Sequence, residues 1–103
     1  MGLGRYILRE GKPVEVDNLA EWAAWYEKAD RTLLRTRLPH NVMVSTVFLG
    51  LDHGFNDVGP LLWETMVFGG PYDGYMDRHT TEEEARQGHA YALKVANGEV
   101  ELE

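Results

Sequence analysis

The sequence predicts an α+β fold: one domain over residues 1–103, with an antiparallel sheet and two helices packed on it. The sheet is expected to comprise an N-terminal hairpin and a three-strand meander. Three observations carry this. Apolar runs of strand length alternate with Gly/Pro-rich breakers, and two other segments repeat apolar residues at helical spacing behind an N-cap signal. At 103 residues, 44% apolar and 26% charged, the chain has material for one packed core and is too short for two.

Arg5–Arg9 reads as a strand, Glu10-Gly11-Lys12 as a turn, and Pro13–Val16 as a second strand with its proline at an edge or start. Asp17-Asn18 opens a helix, because Asn18 suits an N-cap and Glu21 then falls at N3. Leu19, Trp22, Ala23, Tyr26 and Ala29 follow at helical spacing, and Trp25 widens that stripe. Core packing is the ordinary role for such a stripe. Trp22, Trp25 and Tyr26 on one short helix also offer a platform on which a planar ligand can stack.

Arg31–Leu38 reads as a strand with Arg31, Leu33, Arg35 and Arg37 on one face and Thr32, Leu34, Thr36 and Leu38 on the other. Pro39-His40-Asn41 makes a turn into Val42–Leu51, whose β-branched residues on both faces suit a central strand. A loop over residues 52–60 separates it from a strand at Leu61–Phe68 carrying Glu64, and these two strands are expected to pair antiparallel. After a second breaker at Gly69–Gly74, a helix starts at Thr80 or Thr81, where Thr80 with Glu83 and Thr81 with Glu84 both fit a capping box. Ala85, Gly88, His89, Ala92, Val95 and Ala96 form its inner stripe, and Asn97-Gly98 closes it with a left-handed residue. The tail after Glu99 alternates and reads as a short strand or a frayed end.

Three stretches share a pattern: Val44–His53, containing Gly50-Leu51-Asp52-His53; Leu61–Gly70, containing Glu64-Thr65-Met66-Val67-Phe68; and Asp77–Ala85 with Gly88-His89. The pattern resembles a family of small uncharacterised proteins of bacteriophages and prophages, over residues 41–95. The resemblance implies a viral source and brings no reaction with it. Trp63 stands where the family often has Phe, and His79 where it often has Tyr, which marks His79 as replaceable.

Composition narrows the partners. With no cysteine, thiolate chemistry and disulfides are excluded. The start of the chain lacks a signal-peptide pattern, and Val42–Leu51, the longest apolar stretch, is too short to cross a bilayer. The expectation is a cytoplasmic protein, in the host cell if phage-encoded, with no membrane partner. The net charge of -7 disfavours long nucleic acid, since neutralising phosphates takes clustered Lys and Arg. That charge belongs to residues 52–103, with eleven acids and three bases; residues 1–51 have seven bases and six acids.

Three constellations can carry function. Arg31, Arg35 and Arg37 put planar guanidiniums along one strand, suited to phosphate, with Trp22, Trp25 and Tyr26 as stacking partners. The plain alternative is a solvated face whose arginines pair with acids such as Glu64. Asp52, His53 and Glu64 combine carboxylate and imidazole groups that can contact a ligand, bind a metal or exchange protons. No dedicated motif spacing accompanies them, and their plain role is to satisfy loop backbone and pair across the sheet. His89, on an apolar helix face, is expected to be a satisfied core residue. Asp77, Glu82, Glu83 and Glu84 form an acidic face that can imitate phosphates toward a basic host protein, or simply cap the helix.

The leading expectation is a non-enzymatic phage binding protein, without a cofactor and acting as a homo-oligomer. It would sequester a phosphate-bearing small molecule, such as a host defence signalling nucleotide. The alternatives are an acidic inhibitor or accessory structural protein bound to a host or phage protein, and a small metal-dependent enzyme at Asp52, His53 and Glu64.

Overall fold

The computed structural model describes residues 4–52 and 59–100. Strands β1 (Tyr6–Arg9) and β2 (Lys12–Glu15) form a hairpin, followed by helix α1 (Leu19–Lys28). Strands β3 (Thr32–Leu38), β4 (Val42–Phe48), β5 (Trp63–Phe68) and β6 (Met76–His79) come next, and helix α2 (Glu82–Ala96) completes the order. The class is α+β, as the sequence predicts. Two details differ. The hairpin is a separate two-stranded sheet, and the meander has a fourth strand, in the order β3-β4-β5-β6, all antiparallel.

Local chemistry accounts for the element ends. The hairpin turns at Glu10 (φ 52°) and Gly11 (φ 78°), the two positive angles a type I′ turn requires. Asn18 caps α1 by accepting the Glu21 N–H at 2.9 Å. At α2 the Thr81–Glu84 pair forms the complete capping box, with the Glu84 N–H donating to Thr81 Oγ1 at 3.1 Å. The other end of α2 closes as a Schellman motif. Gly98 (φ 74°) donates to the Val95 carbonyl, and Glu99 donates to that of Lys94.

Helix α2 lies on one face of the four-stranded sheet, and cross-strand register divides that face into rows. Val44 opposite Val67 packs with Val42 and Ala92 in one apolar cluster. Phe48 opposite Trp63 packs with Leu62 and Ala85 in a second. Between the two runs a polar row, with Thr46 opposite Thr65, both fully buried. Small residues on α2 bring its backbone close to the strands, which is the function of the Ala/Gly stripe.

Helix α1 buries none of its residues and packs beside β1 rather than across the sheet. Trp25 meets Phe48 edge-on at 5.8 Å, and the Trp22 indole N–H donates to the Gly50 carbonyl at 2.9 Å. Gly50 is required here twice over. Its φ is +78°, and a Cβ would lie 3.2 Å from the Tyr26 ring.

Candidate functional site

The face of the sheet away from α2 is open. Register sets its side chains in three rows across β3 to β6. The first is Arg37, Met43 and Phe68; the second is Arg35, Ser45, Met66 and Met76; the third is Thr32, Val47, Glu64 and Arg78. Phe68 and Met76 remain 43% and 42% exposed, large values for side chains of this kind. Three of the four methionines in the chain share this face. Methionine is flexible and polarizable, and groups of it form surfaces that adapt to what lands on them.

The basic edge of this face is β3. Arg35 and Arg37 are exposed, two residues apart and on the same side. Neither forms an ion pair among the described residues. Asp30 feels Arg35 only weakly: its carboxyl is held below the ordinary range first by the Thr32 N–H, then by the Thr32 side chain, with Arg35 contributing least among the lowering influences. At the opposite corner Glu64 accepts from Arg78 Nε at 3.1 Å, so that arginine is neutralised.

Arg31 stands apart from the other two. The pairing register shifts between Thr32 and Leu34, a β-bulge that breaks the expected alternation. Leu33 turns to the core beside Phe48 and Trp63 instead of sharing a face with Arg35. The Arg31 guanidinium donates to the Phe48 carbonyl at 2.8 Å and lies 4.2 Å from the centre of the Tyr26 ring. Trp22 and Tyr26 pack with their rings tilted and 4.8 Å apart, so the aromatic helix is occupied with Arg31 and Gly50. The cavity next to Arg31 holds about 110 Å³. That is well below the roughly 300 Å³ at which small-molecule pockets begin. A second cavity, of about 410 Å³, lies between Leu38, His40, Val42, Pro71 and Asn97; it has no arginine in its wall.

The remaining expected site residues have local partners. Asp52 accepts the Leu61 N–H at 3.0 Å, and its own N–H donates to the Gly4 carbonyl. Glu64 pairs with Arg78, and His53 lies outside the described residues. Among the described residues no group of three or more His, Asp or Glu is placed to hold a metal. On the acidic face, Glu82 is ion-paired with Arg86 at 2.9 Å and Glu84 belongs to the capping box, which leaves Asp77 and Glu83, both exposed, outside those two contacts.

Beneath α2 the polar row is a continuous chain of side-chain hydrogen bonds. Thr36 Oγ1 lies 2.9 Å from His89 Nε2, and His89 Nδ1 lies 2.8 Å from Thr46 Oγ1. Thr46 and Thr65 hydroxyls meet at 2.7 Å, and Thr65 Oγ1 lies 3.0 Å from His79 Nε2. The chain crosses all four strands. His89 is a satisfied core residue, and burial holds its imidazole below the ordinary histidine range. His79 is buried against Gly88 of α2.

The methionine face was within reach of sequence reasoning. Met43, Ser45 and Val47 fall on one face of β4 and Glu64, Met66 and Phe68 on one face of β5, and pairing the two strands lays those residues side by side. Arg78 and the threonine–histidine chain depend on β6 and on exact register. Comparison with protein-family models, with curated proteins and with solved structures finds no match.

Proposed function

We propose that the protein is a non-enzymatic binding module that captures a phosphate-bearing small molecule with a planar apolar part, such as a signalling nucleotide, on the open face of its sheet. The observation that carries this is the pair Arg35 and Arg37, exposed, adjacent and without a carboxylate partner among the described residues. Two guanidiniums on one strand face offer bidentate donors to phosphate oxygens. Met43, Met66, Met76 and Phe68 beside them supply a polarizable apolar floor for a base. The stacking partner is this floor rather than the tryptophan helix, because Trp22, Tyr26 and Arg31 are engaged with one another and with backbone. With a phage source, such capture would remove a host defence signal.

Thermal-shift and calorimetric screening against mononucleotides, cyclic dinucleotides and ADP-ribose tests the reading. We expect at least one to bind, and Arg35→Ala and Arg37→Ala each to weaken it by about tenfold or more, the loss of one charged hydrogen-bonding group. Binding by none of them, or binding unchanged in both variants, overturns it.

A further inference from the structure

The hydrogen-bond chain under α2 has a property that follows from counting hydrogens. A threonine hydroxyl has one hydrogen to donate and lone pairs to accept; a neutral imidazole donates from one nitrogen and accepts at the other. The contact between Thr46 and Thr65 at 2.7 Å needs one hydrogen between its oxygens. If Thr46 donates to Thr65, then Thr46 accepts from His89 Nδ1–H, and Thr65 donates to His79 Nε2. Both histidines then carry their proton on Nδ1. If Thr65 donates to Thr46, every bond reverses. Thr46 donates to His89 Nδ1, Thr65 accepts from His79 Nε2–H, and both rings carry the proton on Nε2.

Mixed arrangements fail. With His89 protonated on Nε2 and His79 on Nδ1, both hydroxyls point outward and no hydrogen remains between Thr46 and Thr65. With the opposite mixture, both rings donate inward and one threonine hydrogen has no acceptor in the chain. We infer that Thr36, His89, Thr46, Thr65 and His79 form one proton-ordered unit that locks the two histidines into the same tautomer and accepts one extra proton but resists a second.

The resistance has the same origin. One added proton leaves a consistent direction along the chain, since a charged His89 still donates to Thr46, or a charged His79 to Thr65. Two added protons force both rings to donate inward, and a buried hydroxyl hydrogen is stranded. The surroundings offer little relief. On this face β3 presents Leu34, Thr36 and Leu38, β4 presents Val42, Val44, Thr46 and Phe48, and β5 presents Trp63, Thr65 and Val67, none of them titratable. On β6 the facing titratable groups are His79 itself and Asp77, at the exposed edge. On α2 the buried residues beside His89 are Ala85, Ala92 and Val95, with Gly88 against His79. The seat of α2 on the sheet is therefore the acid-sensitive seam of the fold.

Long-range ¹H–¹⁵N NMR of the imidazoles in the full chain tests this. In the wild type we expect His79 and His89 to be protonated on the same ring nitrogen; opposite positions overturn the inference. On acidification the second proton should bind at least tenfold more weakly than the first. Thr65→Val removes the central hydroxyl at nearly constant volume, and the weakening should fall to about threefold or less, while Thr65→Ser should retain it. Plain charge repulsion between two imidazoliums would survive Thr65→Val, so tenfold weakening that persists in that variant also overturns the inference.

Discussion

Gly88 of α2 rests directly on the imidazole of His79 in β6, and a Cβ at position 88 would overlap the ring at its Cε1. Two effects of Gly88→Ala therefore oppose each other. Alanine gains about 1 kcal/mol of helix propensity. Overpacking a buried contact costs about 1–3 kcal/mol or more. Because the ring is held by its bond to Thr65, it has little room to give, and the cost wins. We expect urea denaturation to show a net loss of about 1–2 kcal/mol. A more stable Gly88→Ala protein would mean that α2 does not sit where the structure has it.

The pH dependence of stability carries a definite sign. Burial lowers the pKa of His89 in the folded state, so across mildly acid pH the unfolded chain binds more protons there than the folded one. The contribution is fully present above the unfolded value of about 6.5 and is lost as pH falls through the folded value. Urea midpoints should decline between about pH 7.5 and pH 5.5, and His89→Gln, which cannot titrate, should flatten that decline. A midpoint that rises on acidification contradicts the buried neutral imidazole.

The three arginines named by the sequence should separate into two classes. Arg31→Ala removes a charged donor from the Phe48 carbonyl and a cation from the Tyr26 ring. It should cost about 1–2 kcal/mol of stability. Arg35→Ala and Arg37→Ala touch exposed side chains and should change stability by about 0.5 kcal/mol or less. Thermal and urea unfolding of the three variants checks the division. Equal losses in all three would return Arg31 to the same face as the others.

Much of this fold is legible in the residues, and the exceptions have physical causes. Capped helices, the Asn97-Gly98 stop and the strongly alternating strands are local features, encoded where they occur. Strand β6 is different. Met76-Asp77-Arg78-His79 has no apolar alternation, and its extended form comes from pairing with β5. Its one buried side chain is His79, which the motif resemblance marked as replaceable. The phase of the arginines depended on a single bulge, set by Leu33 turning toward Phe48 and Trp63 rather than by any signal near Arg31. Thr36, Thr46 and Thr65 read as ordinary strand residues until register sets Thr46 opposite Thr65 and His89 bridges Thr36 to Thr46. The methionine face has no local signal of its own, because β4 and β5 carry apolar residues on both faces and only pairing and the seat of α2 decide which face stays open.

Everything proposed for function rests on ligand capture at the open sheet face. The most direct test is a residue-by-residue ¹H–¹⁵N NMR titration with a nucleotide found to bind. Perturbations should concentrate at Arg35, Arg37, Ser45, Met66 and Phe68, with α1 unmoved. Perturbations centred on Trp22, Trp25 and Tyr26, with the β3–β5 face silent, would contradict it.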